Sequence, residues 1–198
     1  MKKSLFTLLL FLTPYFIFAQ LEVQNDNLII ELTKGKKVGF LAGSNSAAVG
    51  KGNMRVATYI EFTNTDPDKK RIIDLNKFSL VDHQSKKRYR GVDLAVGHPL
   101  GYKEGKRLTK KKLRVMNLNI NYDPDVVDTF EDYTLEGYNN VERKTKLAVG
   151  KKYSSVIYYD HINRRVKRVQ LFFAVPKKLK GNPVDIYYGK EKVGTFEI

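Results

Sequence analysis

Residues 54–63 constrain the fold of this chain more than any other part of the sequence. Alternate positions form two sets, and the mainly apolar set is Met54, Val56, Thr58, Ile60 and Phe62. Because successive side chains of a β-strand point to opposite faces, this pattern predicts a central strand with one face in the core. Residues 64–68 follow it, and their proline, asparagine and aspartate residues favour a turn.

Further short apolar or alternating runs recur along the rest of the chain. They occupy residues 28–32, 38–41, 78–82, 87–89, 113–122, 153–160, 169–175, 184–188 and 193–198. The polar residues 83–85 and 189–192 lie between neighbouring runs and predict two hairpins. No stretch has a long amphipathic helical period, so we predict an all-β fold, an antiparallel immunoglobulin-like β-sandwich.

Residues 97–146 differ from this pattern and predict a long loop insertion. Glycine and proline residues favour an exposed excursion over residues 97–112. The aromatic residues within 125–140 fit neither the helical nor the strand period, so this segment is expected on the surface and is either irregular or holds one short helical turn. We predict a single domain over residues 20–198, in which residues 97–146 form an insertion or a divergent loop region.

The first residues of the chain indicate its compartment. Basic Lys2 and Lys3 precede the apolar residues 5–18, and Ala19 offers a small-residue cleavage point. The apolar run is shorter than the roughly 20 residues of a membrane span, so cleavage is expected instead of anchoring. We predict that residues 1–19 are a signal peptide and that the mature chain is exported to the periplasm or cell surface without a transmembrane segment.

The chain is strongly basic, with a formal net charge of +15 at pH 7, and it contains no cysteine. Without cysteine it has neither disulfides nor thiolate metal sites. The positive charge favours an acidic partner, either an envelope protein or an anionic glycan or lipid. Nucleic acid is not expected, because neither a recognition helix nor an RNP-like strand is present.

Two clusters of basic residues are the candidate contacts for such a partner. The first, in the predicted long loop, comprises Lys106, Arg107, Lys110, Lys111 and Lys112. The second, in the turn between two late strands, comprises Arg164, Arg165, Lys167 and Arg168. Solvated loops that pair internally with nearby acidic residues are the alternative interpretation.

A run of carboxylates follows the first basic cluster and is a candidate calcium site. Its members are Asp123, Asp125, Asp128, Glu131 and Asp132. Hard oxygen ligands close together in sequence suit calcium, although the glycine and the spacing of an EF-hand loop are missing. Charge balance with nearby lysines explains the same residues without a metal. No organic cofactor is expected.

The sequence lacks an assembled catalytic motif. His83, His98 and His161 have no paired metal-binding spacing, and there is no Gly-x-Ser-x-Gly motif. The pairs Tyr158–Tyr159 and Tyr187–Tyr188 favour either an aromatic binding platform or ordinary strand packing, with one tyrosine of each pair in the core. These features predict that the protein is not an enzyme.

Three motifs occur in an order that characterises a known family. Residues 60–65 end a strand in an asparagine-containing turn, residues 78–82 carry Phe-x-Leu-x-Asp before a polar hairpin, and residues 171–176 end in Val-Pro before the last apolar strands. In this order they resemble the DUF4352 group of bacterial exported immunoglobulin-like domains, over roughly residues 54–96 and 147–198. The resemblance implies a binding or interaction module and supplies no catalytic residues.

The expected function is that of an exported, non-catalytic binding module of the bacterial cell envelope, which contacts an anionic partner through a basic surface. A structural or assembly subunit that pairs through its last strand, residues 193–198, is one alternative. A hydrolase with an unrecognised site is the other.

Overall fold

The computed structural model of the protein describes residues 20–23, 28–39, 49–66, 72–112, 120–146, 154–163 and 166–198. Its strands are β1 (Gln20–Val23), β2 (Leu28–Val38), β3 (Asn53–Asn64), β4 (Ile72–Ile73), β5 (Phe78–Asp82), β6 (Lys87–His98), β7 (Gly101–Glu104), β8 (Arg107–Thr109), β9 (Ile120–Tyr122), β10 (Asn139–Val141), β11 (Thr145–Lys146), β12 (Ser154–Ser155), β13 (Tyr158–Tyr159), β14 (Ile162–Asn163), β15 (Arg168–Pro176), β16 (Pro183–Tyr188) and β17 (Glu191–Glu197). In these ranges helical structure is limited to 3₁₀ turns at Leu75–Lys77, Glu131–Tyr133 and Lys177–Leu179. The predicted signal peptide lies outside the described residues.

Two sheets share the strand β6. In the first sheet the order is β1-β2-β3-β15-β6, and in the second it is β6-β5-β16-β17. Residues 87–90 of β6 pair with β5, whereas residues 91–96 pair with β15. The register shifts opposite Phe172 and Phe173, as in a β-bulge, which bends a strand locally. This irregularity lets β6 pass from one sheet to the other.

The two sheets also meet at the opposite margin, where β17 lies against β2. Gly35 makes this approach possible, because a Cβ at that position would come within 2.2 Å of the Phe196 ring. The chain end is held as well, since the Gly181 amide donates to Ile198 O at 2.6 Å. The prediction of an all-β antiparallel sandwich is confirmed, with β10–β6 and β8–β9 as the parallel pairs within the described residues.

The hydrophobic core fills the space between the two sheets. Its fully buried members include Ile30, Val56, Ile60, Leu80, Val169, Phe173, Val184 and Ile186. The alternation predicted for β3 is confirmed, because Val56 and Ile60 lie in this core. Arg55 and Ala57, on the opposite face of β3, are buried too. A second layer of chain therefore covers part of the outer face of the first sheet.

That second layer comes from the stretch predicted as an insertion, residues 97–146, together with the later strand β13. β8 lies between β9 and β13 in a small sheet, and Tyr159 of β13 donates its hydroxyl to Asp93 O of β6 at 3.3 Å. Gly91 of β6 leaves room for the Tyr159 ring, since a Cβ there would come within 2.7 Å of the tyrosine oxygen. Of the two alternatives for residues 125–140, the structure has the short helical turn, as a 3₁₀ turn at Glu131–Tyr133. The expected surface position of its neighbourhood is wrong for Phe130, which is fully buried.

Candidate functional site

Asp93 is the centre of a buried ion-pair network beneath this second layer. Its Oδ2 lies 2.8 Å from Nη2 of Arg55, and its Oδ1 lies 3.2 Å from Nη1 of Arg107. Arg107 also pairs with Glu104. Burial lowers the pKa of Arg107, and the nearby charge of Asp93 opposes that shift. The network links β3, β6 and β8 through charged side chains that are screened little by salt.

The predicted placement of Arg107 in an exposed loop is therefore wrong. Its side chain is fully buried, because β8 is paired on both sides and turns this residue towards Asp93. A buried arginine of this kind is not available to an external partner, and its removal would leave the buried charge of Asp93 with fewer partners.

Arg88 and Arg90 form a second buried group around Phe130. Their guanidinium carbons lie 3.9 and 4.5 Å from the Phe130 ring centroid, within the range of cation–π contacts. Arg88 donates from Nη1 to Phe130 O at 2.8 Å, and burial lowers its pKa to about 10. Arg90 pairs with Asp128, and its Nε lies 2.6 Å from Oε1 of Glu142. These contacts attach the segment around Phe130 to β6.

The carboxylates of the candidate calcium site are engaged separately. Asp128 pairs with Arg90, Glu131 accepts from Asn140 Nδ2 at 2.9 Å, and Asp123 accepts from the Asp125 amide at 3.0 Å. Asp132 is exposed. Across the described ranges, three or more acidic or histidine side chains do not converge in a way that would hold a metal ion. The structure thus does not bring the five predicted ligands together.

The remaining residues of the two predicted basic clusters have different surroundings. Lys106 bonds Asp160 at 2.6 Å, and the Lys110 ammonium lies 5.0 Å from the Tyr158 ring centroid. Arg168 donates to His98 O at 2.8 Å. The exposed lysines of the two clusters are Lys106, Lys110, Lys111, Lys112 and Lys167. Arg164 and Arg165 lie outside the described residues.

A further concentration of positive charge, which we call the cationic end, lies where β2 ends, β3 begins and β15 ends. Its members, all exposed, are Lys37, Lys51, Lys144, Lys177, Lys178 and Lys180. Val38 and Pro176 flank the start of β3 in the sheet, and the Lys177 amide donates to Gly52 O at 3.0 Å. Within the part of the chain that the structure describes, none of the six lysines forms an ion pair.

Two adjoining clefts open at the cationic end. The larger, of about 410 Å³, is lined by Val49, Gly50, Asn53, Glu142, Arg143, Lys144 and Ala174. The smaller, of about 210 Å³, is lined by Lys37, Val38, Val49, Asn53, Met54, Arg55 and Lys177. The clefts share Val49 and Asn53, and Ala174 of the larger cleft is the cross-strand neighbour of Arg55 in the smaller one. The two clefts are therefore neighbours on the surface.

Sequence reasoning missed this site because its residues come from separate parts of the chain. Four of its cations are Lys37, Arg55, Arg143 and Lys177, and no local run of charge connects them. The available signals were strand-end lysines and the glycine-rich turn before β3. These signals indicate a site only when the strand order is known, because that order places the ends of β2 and β15 beside the start of β3.

His83 belongs to a different surface cluster, on the second sheet. Its Nε2 lies 2.7 Å from Asp185 Oδ2, which also receives Lys192 Nζ at 2.9 Å, and its Nδ1 lies 2.5 Å from Tyr138 OH. Burial alone would raise the pKa of Asp185, but hydrogen bonds from Thr195, His83 and Lys192 hold it below its ordinary value. The buried carboxylate thus balances the charge of Lys192 and accepts hydrogen bonds from its other neighbours.

The paired tyrosines divide between the core and the second layer. Tyr188 packs on Phe78 with ring centroids 4.8 Å apart, whereas Tyr187 is half-buried. Tyr158 and Tyr159 are both buried, so this pair does not form an open aromatic platform.

Comparison of the chain with protein-family models, curated proteins and solved structures finds no match. The resemblance to the DUF4352 group therefore stays a prediction that rests on the three sequence motifs. Among the residues described, no helix has the length and apolar character needed to cross a membrane.

Proposed function

We propose that this protein is an exported, non-catalytic binding module of the bacterial cell envelope that contacts an anionic partner through the cationic end. The observation that supports the proposal is the set of exposed lysines there, which lack an ion-pair partner among the described residues. An envelope protein, an anionic glycan or an anionic lipid would each supply the missing negative charge.

Electrostatics favours this end over the cluster identified from the sequence. Like charges held close together repel one another, and an anionic partner relieves that repulsion while it gains attraction. In the cluster at residues 106–112, Asp93 and Glu104 balance the charge of the buried Arg107. Lys106 is paired with Asp160. The three lysines Lys110, Lys111 and Lys112 are a smaller, secondary contact in this proposal.

The alternative of an assembly subunit has less support. It needs the edge of β17 to be open to a second chain. Instead β17 lies against β2, the Phe196 ring occupies the space beside Gly35, and Ile198 is hydrogen-bonded through both of its main-chain groups. Pairing through this strand would require these contacts to be displaced.

The test compares two triple charge reversals in the protein purified from exporting cells. One carries Lys51→Glu, Lys178→Glu and Lys180→Glu, and the matched control carries Lys110→Glu, Lys111→Glu and Lys112→Glu. Both change the net charge by the same amount at exposed positions, so non-specific attraction falls equally. Binding to phosphatidylglycerol vesicles, with phosphatidylcholine vesicles as the neutral reference, is measured by co-sedimentation at low and at high salt.

The proposal expects a loss of binding of about tenfold or more from the first variant and a much smaller loss from the control. It also expects the interaction of the unmodified protein to weaken at high salt. Equal effects of the two variants, or no effect of the first, would contradict it. Retention of binding at high salt would favour an apolar contact, as the assembly alternative requires.

A further inference from the structure

We propose that the adjoining clefts at the cationic end form a binding site for a phosphate group, which is the part of the anionic partner that the protein recognises. This inference rests on the proposed function and adds the chemistry of the ligand. Among the described residues, these clefts combine several cations, a concave surface and arginine donors without a hydrogen-bond partner.

The donors come from two arginines. Nε of Arg143, which lines the larger cleft, and Nε of Arg55, which lines the smaller one, are buried and have no hydrogen-bond partner. A buried donor without an acceptor costs free energy, so its presence calls for an explanation. Guanidinium groups match the geometry of phosphate oxygens and can donate two parallel hydrogen bonds to them.

The charge around the clefts favours an anion with more than one negative charge. Lys37, Lys144 and Lys177 line the clefts together with the two arginines. The acid that lines them, Glu142, is paired with Arg90, and Asp93 is shared between Arg55 and Arg107. A phosphate monoester offers about −1.5 to −2 charges and three acceptor oxygens. A carboxylate offers only one charge.

The shared wall of the clefts is held in place by its own hydrogen bonds. Asn53 donates from Nδ2 to Val49 O at 3.0 Å, and the turn between them has positive φ at Gly50 and Gly52. The Lys177 amide donates to Gly52 O and ties the turn to the end of β15. A site that is ordered before binding loses less conformational entropy when the ligand arrives.

Arg143→Ala is the direct test, with Arg143→Lys to separate the guanidinium fork from its charge. Lys178→Ala is the matched control, because it removes one positive charge from the cationic end outside the clefts. Lys144→Ala is a second cleft variant at an exposed position, where folding is not at risk. Circular dichroism and thermal unfolding verify that each variant is folded.

The probes are inorganic phosphate, glucose 6-phosphate, sulfate and acetate, measured by calorimetry or by amide chemical shifts. Phosphate affinity should fall by about tenfold or more in Arg143→Ala, less in Lys144→Ala and Arg143→Lys, and little in Lys178→Ala. Acetate should bind more weakly than phosphate to the unmodified protein. Vesicles that contain phosphatidic acid, whose headgroup is a phosphate monoester, are then compared with glucose 6-phosphate to identify whether a lipid headgroup or a soluble phosphate ester fits the clefts.

The inference is overturned if phosphate does not bind, or if Arg143→Ala and Lys178→Ala bind it equally. In that case the proposed function still stands when reversal of Lys51, Lys178 and Lys180 abolishes vesicle binding. Conversely, phosphate binding that depends on Arg143, together with vesicle binding that ignores the lysine reversals, supports the site and contradicts the proposed function.

Discussion

The basic cluster at residues 106–112 and the cationic end carry comparable numbers of positive side chains and use them in opposite ways. In the cluster, Arg107 is buried against Asp93 and Glu104, and Lys106 is paired with Asp160. At the cationic end the lysines are exposed and form no ion pairs with described residues. One region uses charge to hold the second layer onto the sandwich, and the other leaves charge available.

Charge density along a chain is therefore a poor guide to charge density on a surface. The basic run at residues 106–112 overlaps β8, and that strand turns Arg107 towards the interior. The cationic end is built by three strand ends that are distant in sequence and adjacent in the sheet. Its lysines come from the end of β2, from loops and from the 3₁₀ turn after β15, and none of them pairs with a carboxylate of the described residues.

The largest effect expected from this comparison is on stability, from Arg107→Ala. The substitution leaves Asp93 and Glu104 with fewer partners in a buried environment, and breaking a buried pair of this type costs about 3–5 kcal/mol. Urea unfolding should show that loss. Lys112→Ala, an exposed neighbour in the same cluster, should be almost neutral, and equal stabilities of the two variants would refute the buried role of Arg107.

Asp185 supplies a test of pH dependence at a third site, where a buried carboxylate is paired with Lys192 and hydrogen-bonded to Thr195 and His83. Because its pKa in the folded protein is lowered, Asp185 contributes stability above its unfolded pKa of about 3.9, and this is lost as pH falls through the folded value. Asp185→Asn should lower the free energy of unfolding by about 1–2 kcal/mol at pH 7. The difference between the two proteins should shrink at pH 3, and a constant difference would contradict the prediction.

The two basic regions should respond differently to salt. Raising the ionic strength from about 0.05 to 0.5 M should weaken vesicle binding through the cationic end by about tenfold, because exposed charges are screened. The destabilisation caused by Arg107→Ala should change much less, because buried pairs are shielded from salt. Parallel salt dependence of both quantities would show that the two regions do not differ in the way described.

The smallest effect is expected from Lys106→Ala. Lys106 and Asp160 are both about half exposed, with side-chain exposures of 52% and 45%. Exposed pairs of this type contribute about 0–1 kcal/mol. Thermal unfolding should therefore place this variant close to the unmodified protein, and a loss as large as that of Arg107→Ala would mean that the pair is a structural element of the second layer.

Much of the fold follows from local patterns in the sequence. The alternation in β3, the hairpin of β5 and β6, and the hairpin of β16 and β17 were predictable because each depends on residues that are near neighbours. The burial of Phe130 and Arg107 was not, because it depends on partners in β6. The cationic end was hidden for the same reason, since Lys37 and Lys177 become neighbours only through the strand order.

The strand β6 belongs to both sheets, and each sheet depends on it. Residues 87–90 complete the second sheet and residues 91–96 complete the first, so peeling β6 away exposes both halves of the core at once. Its amides should exchange with deuterium only when the whole molecule unfolds, as the slowest group in the protein. The domain should accordingly behave as one cooperative unit, and a chain divided within β6 should yield no fragment that folds by itself.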